Sequence, residues 1–185
     1  MEGYLFPETY NFYVNDNPIN TINKFLSTFN KRVTAEMRKR AEDMGFTLNE
    51  ILTIASMIER EAAVKDNSDD RANISSVIHN RLNSDSYPNL MIDATIQYIL
   101  PERKDRLSYA DLEIDSPYNT YKYPGLPPGP ICCPGLDSIK AALYPKDTKF
   151  YFYALTDDGT HAFTRTADEH QAVIDANPGV YGDRS

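Results

Sequence analysis

At 185 residues, 41% hydrophobic and 25% charged, the chain has the composition of an ordinary globular domain with a proper core. A formal net charge of -8 argues against nucleic acid or anionic lipid as the main partner. No apolar run approaches the ~20 residues of a membrane span, and no secretory signal precedes Glu2.

Residues 2–13 (EGYLFPETYNFY) alternate aromatic and polar positions around Pro7, which predicts an extended opening segment with a turn. Asn17 and Pro18 supply an N-cap and a proline at the first helical position. Ile22, Phe25, Leu26, Phe29, Val33, Met37 and Met44 then line one face of a single long helix that Gly45 ends.

The next helix, Thr47 to Val64, is the element around which the rest is organised. Thr47 and Glu50 have capping-box spacing, with Phe46 and Ile51 placed to staple it. Ile51, Ala55, Ile58 and Ala62 centre the apolar face. Glu59 projects into that apolar arc, while Arg60 points nearly opposite and Glu61 sits on the far border. A carboxylate among aliphatic neighbours is desolvated, which raises its pKa and suits a general acid. The alternative is a border residue that reaches solvent or pairs with a cation. Glu61 is expected to be structural or supporting.

Further along, a helix starts at Ser68 and runs through Ile74, Val77, Ile78, Arg81 and Leu82, followed by a short extended piece from Tyr87 to Ile92. Asp93 is expected to cap a brief helix stopped by Pro101, and another short helix begins at Ser108. Residues 115–135 hold six of the twelve prolines and three of the eight glycines, which rules out regular helix or central strand. The tyrosines of this loop (Tyr118, Tyr121, Tyr123) make it an ordered segment, either a sugar-binding wall or a structural closure of the core. A helix from Leu136 to Leu143 comes next. Then Phe150 to Leu155, an Asp158-Gly159 turn and Thr160 to Thr164 read as a hairpin. Thr166 and Glu169 cap a closing helix, and the tail 177–185 is expected to fray. The fold class is α+β: a helix-rich first half, a long ordered Pro/Gly/Tyr loop, a β-hairpin and a closing helix. The whole of 1–185 reads as one domain.

The adjacent Cys132 and Cys133 are expected as free or buried thiols. His79, His161 and His170 have no metal-ligand spacing, so no metal is expected.

Six segments occur in a familiar order: EGYLFPETY, ASMIEREAA, VIHNRL, DATIQY, SPYNTYKYPGLPPGPI and HAFTRTADEH. Together they resemble the YceG-like family of endolytic murein transglycosylases over nearly the whole chain. Two departures are Ala94, where the family commonly has Pro, and Cys132-Cys133, which replace small or polar residues. The resemblance implies an enzyme without a cofactor that cuts the glycan strands of bacterial peptidoglycan internally. It implies that Glu59, the first Glu of the ASxxExE-type motif, is the catalytic acid. It also implies an N-terminal membrane anchor and a LysM-like region, so that the chain reads as an excised catalytic domain working on the extracytoplasmic face of the membrane. Cell-wall synthesis proteins are candidate partners.

In a lytic reaction one carboxyl group protonates the glycosidic oxygen and then takes the proton of the muramic acid C6 hydroxyl, closing a 1,6-anhydro ring. Tyr118, Asn119 and Tyr121 are candidates for positioning sugar, with Asp93 and Thr95 behind them. A hydrolase of the same polymer would need a second carboxylate, Asp93 or Asp115. A non-catalytic glycan-binding module would use the tyrosine loop alone.

Overall fold

The structure, a computed structural model, describes residues 1–62 and 68–181. It is α+β and helix-rich. The helices are α1 (Pro18–Arg32), α2 (Ala35–Asp43), α3 (Leu48–Glu61), α4 (Ser68–Leu82), α5 (Asp93–Ile99), α6 (Tyr109–Leu112) and α7 (Leu136–Leu143). Strands β1 (Phe152–Leu155) and β2 (His161–Thr164) precede α8 (Ala167–Ala176) and α9 (Pro178–Tyr181). The strands form one antiparallel pair with Phe152 opposite Thr164 and Leu155 opposite His161.

Helix α3 is the axis of the fold. Its capping box is complete, with the Glu50 N–H on Thr47 Oγ1 at 3.2 Å and the Thr47 N–H on Glu50 Oε2 at 2.7 Å. Every residue from Ile51 to Ile58 is buried, because α2, α4, α5 and α7 all pack around it. Ile51, Leu52, Ile54, Met57 and Ile58 are fully enclosed, each contributing about 1.5–3 kcal/mol of apolar burial. Ala63 and Val64 of the expected helix lie outside the described residues.

The expected long helix from Pro18 to Gly45 is two helices. Thr34 turns its hydroxyl onto the Met37 N–H at 3.3 Å and starts α2, while Val33 takes an extended conformation and is buried. The hydroxyl offers that N–H a local partner, and one face of hydrophobic residues continues across the break. Gly45 ends α2 with φ +80°, as expected of a left-handed helix terminus.

The opening segment is pinned rather than loose. Phe6 is buried, the Tyr4 ring meets Phe29 at 5.2 Å, and Arg32 pairs with Glu8 at 2.5 Å. Gly3 has φ +85°, and a Cβ there would stand 2.6 Å from Pro130 Cγ. Glycine is therefore required where this segment crosses the Pro-rich loop.

That loop is ordered by Asn119, which is fully buried. Its amide nitrogen donates to the carbonyls of Leu112 and Ile114, both at 2.8 Å, and its oxygen accepts from the N–H groups of Tyr121 and Lys122. The loop's far end is fixed to α3 where the Ile131 N–H donates to Ser56 Oγ at 3.0 Å. Residues 87–92 form no strand. They are irregular backbone that joins the loop through the Met91 N–H on Thr120 O and the Gly125 N–H on Pro88 O. Of the tail 177–185, Tyr181 accepts the Leu155 N–H on its hydroxyl at 2.7 Å, and 182–185 lie outside the described residues.

Candidate active site

Helices α5, at Ile92, and α7, at Gly135, start without a side-chain cap of their own. Exposed N–H groups at a helix start attract a carboxylate. α3 supplies one to each. Glu59 Oε2 accepts from the Gly135 N–H at 3.2 Å and from Ser138 Oγ at 2.6 Å. Glu61 Oε1 accepts from the Ala94 N–H at 3.3 Å. Residues two apart on a helix project about 200° from one another, so the two carboxyl groups serve opposite sides.

The Glu61 side opens onto a cleft. This cavity of about 600 Å³ lies between α3, α4, α5, the Tyr121 loop and the hairpin. Glu61, Asp93, Tyr121, Tyr153 and His161 line it, and Glu59 does not. The Tyr153 hydroxyl donates to Glu61 Oε2 at 3.1 Å. Burial, and then the negative charge of Asp93, push the Glu61 pKa up; Tyr153, Ala94 and His161 pull against them. The C-terminal end of α3 is itself an unfavourable place for a negative charge. Glu61 is thus the cleft carboxyl whose surroundings favour the neutral form over the ionised one.

Asp93 does not cap α5. Ile92 holds the cap position, and the Asp93 carboxylate instead receives the Tyr121 hydroxyl across the cleft. Of the residues expected to position sugar, Asp93 and Tyr121 therefore stand in the cleft together. The other three are placed elsewhere. Asn119 spends its amide on the loop backbone, and Thr95 is buried with its hydroxyl on Ile92 O at 2.7 Å and Thr120 Oγ1 at 2.9 Å. Tyr118 pairs its ring with Tyr98 at 4.9 Å, outside the cleft lining. Asp115 is exposed and held by the Tyr123 hydroxyl at 2.5 Å, with Lys122 at 3.7 Å.

The hairpin wall is locked to α4. Arg81 donates to Tyr151 O at 2.6 Å and Asn89 O at 2.7 Å, and its guanidinium lies over the Phe152 ring at 4.8 Å. The His170 ring also stacks on Phe152, with centroids 5.2 Å apart; burial and then the Arg81 charge lower its pKa. Glu61, Tyr153 and His161 are the cleft residues that the helical pattern missed. For the last two the sequence signal is the alternation of FYFYAL and HAFT, which sends Tyr153 and His161 to a common face.

The molecule is a helix-rich α+β domain whose central helix delivers the Glu61 carboxyl into an open cleft. Among known proteins, the pattern of the YceG-like family matches residues 1–176. The endolytic murein transglycosylase of Bacillus subtilis (strain 168) is 41% identical over 174 residues, 92% of this chain and 46% of that protein. That of Streptococcus pneumoniae serotype 2 (strain D39) is 34% identical over 180 residues, 94% of this chain and 32% of that protein. A crystal structure of a yceG-like protein from Listeria monocytogenes superposes with a TM-score of 0.83 at 38% identity, covering 92% of this chain and 54% of that one. The chain belongs to the YceG-like family, and it spans less than half the length of these two curated relatives.

Proposed function

We propose that this domain is an endolytic lytic transglycosylase of peptidoglycan, cutting the β-1,4 bond between N-acetylmuramic acid and N-acetylglucosamine. The observation that carries this reading is Glu61, a carboxyl whose pKa burial and Asp93 push up, at the wall of a cleft of about 600 Å³. The relatives named endolytic murein transglycosylases supply the substrate class. We assign Glu61 the role that the motif reading gave to Glu59. Glu59 is engaged by the start of α7 and has no place in the cleft lining.

The chemistry follows from one carboxyl group. Protonated Glu61 gives its proton to the glycosidic oxygen as the bond to C1 breaks. The resulting carboxylate, steadied by the Tyr153 hydroxyl and the Ala94 N–H, takes the proton of the C6 hydroxyl as that oxygen bonds C1. The product is a 1,6-anhydro end, and Glu61 is restored as the acid. Tyr121 and Asp93 offer a hydroxyl and a carboxylate to sugar in the same cleft. Peptidoglycan places this action on the extracytoplasmic side of the membrane, with cell-wall synthesis proteins as neighbours. Among the described residues no helix is long and apolar enough to cross a membrane.

Asp93 favours a second reading. A carboxylate that shares the cleft with the acid could activate water and make the enzyme a hydrolase. Mass analysis of products formed in heavy-oxygen water separates the two. The lytic reading expects ends one water lighter than hydrolytic ends and free of label. Labelled reducing ends as the main product would establish the hydrolase.

A further inference from the structure

The hairpin carries a buried pair behind Tyr153 whose meaning rests on the proposed role of Glu61. Tyr153 faces Phe163 across the hairpin, and His161 lies two residues before Phe163, so Tyr153 and His161 share one face. The edge of the His161 ring meets the Tyr153 ring at 5.5 Å and 82°. His161 Nδ1–H donates to both oxygens of Asp70, at 3.1 and 3.0 Å. The two side chains are only 6% and 9% exposed. Asp70 stands in the first turn of α4, so contacts run without a gap from α4 through His161 and Tyr153 to Glu61 at the end of α3.

We propose that His161, anchored by Asp70, is a positioning residue for Glu61: it holds the Tyr153 phenol on the Glu61 carboxyl and couples its own charge to the proton there. A two-stranded hairpin is marginal by itself, and tethering it to α4 keeps the Tyr153 hydroxyl in reach. Positive charge on His161 and the hydroxyl of Tyr153 both favour ionised Glu61, against burial and Asp93. This balance suits a group that must first hold a proton and later carry the charge. Also facing this part of the cleft are Asp93 on α5, Arg81 on α4, Tyr121 on the loop and His170 on α8. Arg60, Arg103, Asp105 and Arg106 lie along the same cleft. None of these changes in the variants below.

The test reads Glu61 directly, by the carbon-13 shift of its carboxyl carbon against pH, beside the pH profile of kcat/KM on glycan strands. In D70N/H161Q, a neutral pair that keeps a hydrogen bond, the Glu61 midpoint and the alkaline limb should both rise by roughly half a pH unit or more. Tyr153→Phe should move the midpoint the same way with the Asp70–His161 pair intact. A Glu61 midpoint unmoved in folded D70N/H161Q would overturn the proposal, and one unmoved in Tyr153→Phe would overturn it even if the double variant failed to fold. Absence of glycan cleavage would sink the proposed function, yet leave the carbon-13 result to stand or fall alone.

Discussion

Glu59 and Glu61, two positions apart on α3, close the starts of two different helices: Glu59 meets Ser138 Oγ and the Gly135 N–H of α7, and Glu61 meets the Ala94 N–H of α5. The first contact is structural. Glu59→Ala strips the start of α7 of its acceptor and leaves the buried Ser138 hydroxyl without this partner. A loss of about 1–2 kcal/mol is expected in urea unfolding, with activity per folded molecule within a few-fold of the parent.

For Glu61 the sign of the stability effect is opposite. Its folded pKa is raised above the ordinary value of 4.5, so the folded protein binds the proton more tightly than the unfolded chain. Below the ordinary carboxylate range both states are protonated and nothing is lost. As pH rises through that range, the unfolded chain ionises first and stability falls, until folded Glu61 ionises too. Glu61→Gln should therefore melt higher than the parent at pH 7.5, with the difference closing below about pH 4. Thermal unfolding at the two pH values checks this; equal offsets at both would show that ionisation is not the cause.

Asp93 tests the choice between lytic and hydrolytic chemistry by another route. Its negative charge helps keep Glu61 protonated. In Asp93→Asn that charge is gone, so Glu61 ionises more easily and the alkaline limb of the rate profile should move to lower pH. Activity near the old optimum should persist on the acid side. If Asp93 were the base that activates water, the variant would be inactive at every pH.

Much of the fold was legible because its signals are local. The capping boxes at Thr47 and Thr166, the Asn17–Pro18 start and the Asp158-Gly159 turn each need only a few neighbouring residues. The break at Thr34 was local too, but a continuous apolar face concealed it. The site was harder to read. A helical wheel assumes one buried face, whereas α3 is enclosed over Ile51–Ile58 on all sides. Burial direction therefore could not say which of Glu59 and Glu61 faced a cleft. That cleft is completed by Tyr153 and His161, roughly a hundred residues along the chain, and no periodicity within α3 reports them. Asn119 misled for a similar reason. Between tyrosines it has the chemistry of a sugar ligand, but its partners are backbone groups of Leu112, Ile114, Tyr121 and Lys122. Ring stacking and hydroxyl groups are visible in a sequence; the closure of a loop on itself is not.

On the proposed mechanism the proton comes from Glu61. Initial rates of Glu59→Gln and Glu61→Gln on purified glycan strands, measured side by side on folded protein, test it most directly. Gln at position 59 can still accept from the start of α7, so that variant should retain near-parental activity. Gln at position 61 has no proton to give, and the rate should fall by roughly 10²–10⁴-fold or more. Loss of activity in Glu59→Gln with a near-parental rate in Glu61→Gln would contradict the account and return the acid to Glu59.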